Sequence, residues 1–122
     1  MKRMGLLLLL AACAEAQQPP AVDPRLVVTP VVAANLLLSS PAVSRLADGR
    51  LHVVVTLQNP QPADFPLRVQ TDWLDATGAA LSTAASRPQF RLLPRGTGTT
   101  LDADAPNTRA QDFRMTLDAE GN

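Results

Sequence analysis

The sequence contains no tyrosine, one cysteine, one histidine, one tryptophan and three phenylalanines. A single cysteine closes no internal disulfide, so no covalent staple holds the fold. One histidine and one cysteine also leave too few nitrogen and sulfur donors for a zinc site of the usual kind, and no metal or cofactor is expected. Lys2 is the only lysine. With Lys2 and Arg3 set aside, nine arginines face eleven acids, a net charge of about −2 by subtraction. A mildly acidic body without a basic cluster excludes nucleic acid, whose binding needs several phosphate-neutralising cations on one face. No apolar run approaches the ~20 residues of a membrane span. Glycine loops able to cradle a phosphate are missing too, because Gly96-Thr97-Gly98 is short and leads into a strand rather than a helix.

What is present begins with a leader. Lys2 and Arg3 precede Leu6–Leu10, Ala11 and Ala12, a positive end and an apolar core at the lower limit of the ~7–15 residues of a secretory signal. Leu10-Ala11-Ala12-Cys13 resembles the bacterial lipobox. Small residues before the cut let an extended chain enter a membrane-embedded peptidase, and the thiol is the nucleophile that takes a diacylglyceryl group. The resemblance implies cleavage before Cys13 and acylation of its new amino group. At ~0.8 kcal/mol per buried methylene, several acyl chains anchor far more firmly than one. Ala14-Glu15-Ala16 offers another outcome, cleavage after Ala16 and release of a soluble periplasmic protein. The first outcome accounts for the solitary cysteine and the second does not. A catalytic thiol would need a pocket, which Ala14–Pro24 cannot build. Ala14 lacks the aspartate that commonly retains such proteins in the inner membrane, so outer-membrane sorting is expected.

Ala14–Pro24 is polar, proline-bearing and without periodicity, which suits a tether. The expected organisation is a signal peptide over residues 1–12, lipidated Cys13 with a flexible tether over 13–25, and one domain over 26–120. Within that domain LHVVVTL (51–57), LRVQTDW (67–73) and DFRMTLD (112–118) alternate apolar and polar residues, the mark of strands with one buried and one wet face. Weaker strand candidates are Leu26–Thr29, Ala34–Ser39, Ala42–Leu46, Gln89–Leu93 and Thr99–Ala103. Asp48-Gly49 predicts a type I′ hairpin turn, and Asp75–Gly78 a longer turn with Gly78 in the left-handed region. Outside the leader no helical stripe is sustained. About seven short strands predict an immunoglobulin-like antiparallel β-sandwich.

GRLHVVVTLQN (49–59), PLRVQTDWLDATG (66–78), RLLP (91–94) and APNTRAQDFRMTL (105–117) together resemble the YcfL-type family of small periplasmic lipoproteins. The resemblance runs from about Asn35 to Leu117. It implies a lipid-anchored β domain at the outer membrane and implies no catalytic residues.

Candidate site residues are few. The phase of His52 sets it opposite the apolar face, and catalysis there would need converging partners that no local motif supplies. Asp102 and Asp104 share one strand face, which reads as an edge charged against unwanted pairing rather than a cation site. Trp73 shares its phase with Leu67 and Val69 and belongs to the core. The outward stripe Arg68, Gln70 and Asp72, joined by Arg114 if the last strand lies alongside, is the organised polar face open to a partner. The sequence therefore predicts a non-catalytic binding module, anchored in the outer membrane through Cys13, facing the periplasm and engaging another envelope protein. The alternative is a soluble periplasmic subunit or chaperone-like module that captures an extended segment at a sheet edge.

Overall fold

The computed structural model describes residues 23–120, so the leader, Cys13 and most of the tether lie outside the described residues. Eight strands form two sheets: β1 (Leu26–Val28), β2 (Leu37–Leu38), β3 (Ala42–Arg45), β4 (Leu51–Gln58), β5 (Phe65–Leu74), β6 (Gln89–Leu93), β7 (Gly98–Asp104) and β8 (Asp112–Ala119). The first sheet runs β1-β8-β5-β6. In the second, β4 is central, with β3 and β2 along one side and β7 along the other.

The alternation in the sequence becomes the core directly. Leu51, Val53, Val55 and Leu57 of β4 are buried, as are Leu67, Val69, Thr71 and Trp73 of β5 and Phe113, Met115 and Leu117 of β8. These inward rows meet between the sheets and exclude water from a continuous apolar layer. Trp73 pairs across the sheet with Phe113, their ring centroids 6.3 Å apart and tilted by 55°. The Arg25 guanidinium carbon lies 4.9 Å from the Phe113 ring centre, close enough for a cation–π attraction. Arg25 also pairs with Asp23 at 2.9 Å. The last residues assigned to the tether are thus already seated on the domain.

Three expectations are corrected. The strand predicted over Ala34–Ser39 loses its first two residues to a short helix, α1 (Pro30–Asn35), and after extended Leu36 only Leu37–Leu38 pair as a strand. Pro30 sits at the start of the helix, where its missing N–H costs nothing and its fixed φ is pre-set. Six residues are too few to show a periodic stripe, and Val32, fully buried, holds the helix against the core. Second, the sandwich is not wholly antiparallel: β1 runs parallel to β8, with Leu26 opposite Met115. No tight turn joins this pair, so nothing local imposes antiparallel pairing. Third, the Asp48-Gly49 turn is not type I′. Gly49 alone takes a positive φ, at 91°, while Gly49 N–H donates to Leu46 O at 2.9 Å and Leu46 N–H to Arg50 O at 2.8 Å. This is the three-residue loop ending in a left-handed glycine, and Asp48 stays at negative φ accepting from Arg50. Gly78 meets its expectation, with φ 87°.

The sheet edges are treated unequally. β1 has three residues and runs into Pro30, and the β2–β3 edge is interrupted at Ser39-Ser40-Pro41. Both devices blunt an edge against adventitious pairing. β6 and β7 are longer edges with one side unpaired, β6 bounded by Pro88 and Pro94 and β7 carrying Asp102 and Asp104. Their connecting turn is clamped by Asn59, 1% exposed. Asn59 Nδ2 donates to Ala63 O at 2.9 Å and Leu93 O at 3.0 Å, and Oδ1 accepts from Gln61 N–H at 3.1 Å. Its backbone bonds both Gly96 and Thr97.

Candidate functional site: an open cleft beside β6

The polarity of β6 is inverted over Gln89–Leu92, and only Leu93 returns to the core. Pairing with β5 sets Gln89 opposite Val69 and Arg91 opposite Leu67, on the side facing the second sheet, and Phe90 opposite Arg68 and Leu92 opposite Pro66 on the outer side. A closed sandwich would place apolar residues inward. Here Phe90 and Leu92 are 59% and 62% exposed on the outside, while Gln89 and Arg91 are exposed on the inside. The sheets part at this point. Between them lies a cavity of about 140 Å³ with Val69, Trp73 and Met115 as its floor, Arg87, Gln89 and Arg91 on one wall and the β7 edge Leu101–Asp104 on the other.

Among the described residues, no hydrogen bond or ion pair engages the guanidinium of Arg87 or Arg91. Arg25 is committed to Asp23, Arg45 to Gly49 O and Gln111, Arg50 to Asp48 at 2.7 Å, Arg68 to Asp118 at 2.8 Å and Arg95 to Asp64 at 3.4 Å, while Arg109 and Arg114, away from the cleft, are as free as Arg87 and Arg91 among the described residues.

The predicted partner face forms, and it is largely occupied with itself. Register places Arg68 opposite Asp118, Gln70 opposite Thr116 and Asp72 opposite Arg114, so Arg68, Gln70, Asp72 and Arg114 share the outer surface of β5 and β8. Arg68 donates to Asp118, and Gln70 Nε2 to Asp72 Oδ1 at 3.4 Å. The Ala119 N–H above all holds the Asp118 carboxyl below the usual carboxylate range, opposed by desolvation and helped by lesser contributions from the Thr29 hydroxyl and Arg68. Phe90 and Leu92 continue this outer surface at its β6 end.

His52 stands on the opposite sheet, half-buried, with Nδ1 2.5 Å from Asp104 Oδ1. The orienting carboxylate that no local motif supplies comes from the neighbouring strand. Register adds Ser44 on the other side of His52, so Ser44, His52 and Asp104 form one row across three strands. The residue types are those of a hydrolytic triad, but no Ser44–His52 hydrogen bond forms among the described residues, and of the three only Asp104, on the β7 edge, also borders the cleft. A cross-strand polar row of this kind is ordinary sheet-surface pairing. Asp102 projects beside Asp104 on the same β7 face, opposite Val54. Among the described residues, no three His, Cys, Asp or Glu side chains converge in a way that would hold a metal ion.

Arg87 and Arg91 were not singled out by sequence. The available signal was QFRLL between Pro88 and Pro94, an alternation with arginine in the inward phase.

These features define an immunoglobulin-like β-sandwich domain with one open edge. The chain belongs to the DUF1425 family, described as proteins of unknown function, whose model matches residues 24–119. Among solved structures it is similar to cj0090 of Campylobacter jejuni, with 23% identity and a TM-score of 0.70 over 80% of this chain and 100% of that one. It is also similar to a DUF1425 family member from Shewanella sp. pv-4, with 22% identity and a TM-score of 0.61 over 71% of this chain and 81% of that one. Both likenesses concern the fold. No curated protein is significantly similar.

Proposed function

We propose that this chain is a YcfL-type outer-membrane lipoprotein, anchored through acylated Cys13, whose periplasm-facing sandwich binds another envelope protein without catalysis. The lipobox-like Leu10-Ala11-Ala12-Cys13 supports the anchor. One observation carries the binding role: two neighbouring strand edges, β6 and β7, are left unpaired above a cleft floored by Trp73. Exposed Phe90 and Leu92 beside the cleft add apolar surface of the kind interfaces bury. The test is photocrosslinking in intact cells from residues placed along β6, followed by mass spectrometry. A discrete adduct with an envelope protein is expected, and an absence of adducts from every surface position would end the binding-module function.

The same open edges favour a second possibility, a soluble periplasmic module released after Ala16 that captures extended segments. Fractionation and the mature N-terminus separate the two. Cys13 at the N-terminus in the membrane fraction supports the anchored form, whereas Gln17 in the soluble fraction supports the released one.

A further inference from the structure

We propose that the cleft receives an extended polypeptide segment paired along the free edge of β6, with acidic side chains opposite Arg87 and Arg91 and one apolar side chain between them on the Trp73 floor. The inference rests on the binding-module function above and supplies the chemistry of the partner.

Spacing sets the pattern. Arg87 continues β6 in extended conformation, with φ −72° and ψ 144°. Arg87, Gln89 and Arg91 are therefore alternate residues on the cleft side, each about 6.5–7 Å from the next. A strand hydrogen-bonded to this edge matches them one for one. It presents acid, apolar residue, acid at alternate positions, a pattern that reads the same in either strand direction.

Volume sets the central residue. The open space of about 140 Å³ over Val69, Trp73 and Met115 is of a size that one aromatic ring or leucine side chain fills. Charge sets the flanks. Arg87 and Arg91 have no partner among the described residues, and a desolvated carboxylate paired with arginine forms a short, charge-assisted bond.

A second copy of this chain does not satisfy the edge. Antiparallel self-pairing through β6, with the inward faces kept on one side, places Arg91 opposite or diagonal to its own counterpart, or opposite Arg87. Like charges so placed are destabilising.

The experiment uses the purified full chain and two end-blocked peptides, Thr-Glu-Thr-Phe-Thr-Glu-Thr and the same peptide with lysine for glutamate. Trp73 is the single tryptophan and lies in the cleft floor, so its emission reports occupancy without a label. The acidic peptide should saturate and shift the emission, and the basic peptide should bind at least about tenfold more weakly, a difference of ~1.4 kcal/mol. The double variant Arg87→Glu with Arg91→Glu should reverse that preference, with thermal melting as the check on folding. If it does not fold, Arg87→Gln with Arg91→Gln should erase the preference instead. Equal affinity for the two peptides, no binding of either, or a preference that survives removal of both arginines overturns the proposal. Crosslinking in cells keeps the failures distinct. An adduct at β6 alongside peptides that do not bind refutes this ligand chemistry alone, while adducts nowhere refute the binding function itself.

Discussion

Trp73 serves the core and the cleft at one position. It is 1% exposed and packs against Phe113, yet it also floors the cavity. Trp73→Ala should cost about 3–5 kcal/mol, as for other large buried aromatics, read as a lower urea midpoint. Such a loss approaches the whole stability of a small domain. His52 and Ser44 make the opposite case. Their row with Asp104 is a surface pairing, so His52→Gln and Ser44→Ala should each leave folding and complementation of a deletion strain near wild type. Loss of complementation in both, with fold and localisation intact, would make the row a site of chemistry. The carboxylates give a pH dependence with a definite sign. The Thr77 hydroxyl, followed by the Thr77 and Ala79 N–H groups, holds the Asp75 carboxyl below its ordinary range, and the Ala119 N–H leads in doing the same at Asp118. Unfolding returns each toward ~3.9. Because the folded values are the lower ones, the unfolded chain binds protons first as pH falls. The stabilisation is present above the unfolded value and is lost as pH drops through the folded ones. Thermal melts should therefore be flat near neutrality and decline below about pH 4–5, and a decline starting above about pH 6 would implicate other groups.

At the scale of elements, turns and clamps decide where the strands end. A Cβ at Gly78 would meet no atom within 4 Å, so Gly78→Ala tests backbone conformation alone. Its φ of 87° predicts a loss of about 1–2 kcal/mol. Gly98, at the start of β7 and without a positive φ, is the contrast: its added Cβ would make ordinary contacts at 3.5 and 3.6 Å. Gly98→Ala should be neutral or slightly stabilising. Equal losses at both positions would show that the conformational argument is wrong. Asn59 ties the end of β4 to the β6–β7 turn. Asn59→Ala strands the buried Leu93 carbonyl and should cost about 1–3 kcal/mol. Its further consequence is specific to the element: hydrogen exchange should rise in the β6–β7 turn before it rises in β5 or β8. An Asn-Pro pair is a local turn signal, but the bond from Asn59 to Leu93 joins groups 34 residues apart and has no local signature.

At the scale of the molecule, the proposed function assigns attachment to Cys13 and recognition to the sandwich, and the two are separable by mutation. Cys13→Ser should remove the protein from the membrane fraction or leave it unprocessed, while the domain keeps its melting temperature and its crosslinking pattern in vitro. If membrane attachment survives the substitution, the acyl anchor is not what holds the protein there.

The alternation of LHVVVTL, LRVQTDW and DFRMTLD decided in advance that β4, β5 and β8 would each have one buried and one wet face, because side chains in a strand alternate with no help from partners. Turn chemistry was equally local, and it placed Gly78 correctly. Where it erred, at Asp48-Gly49, the same glycine serves either a two-residue loop or a three-residue loop, and the Leu46–Arg50 pairing of the flanking strands selected the longer one. α1 was missed because six residues are stabilised by burying Val32 rather than by a pattern along the chain. Strand order, the parallel β1–β8 pair and the Ser44–His52–Asp104 row belong to tertiary structure alone. Those pairings join residues far apart in sequence, and their register depends on which faces can be buried together. The open edge at β6 has the same origin. QFRLL states that arginine and phenylalanine alternate, but only the parting of two sheets turns the arginine side into a cleft and leaves Phe90 in water.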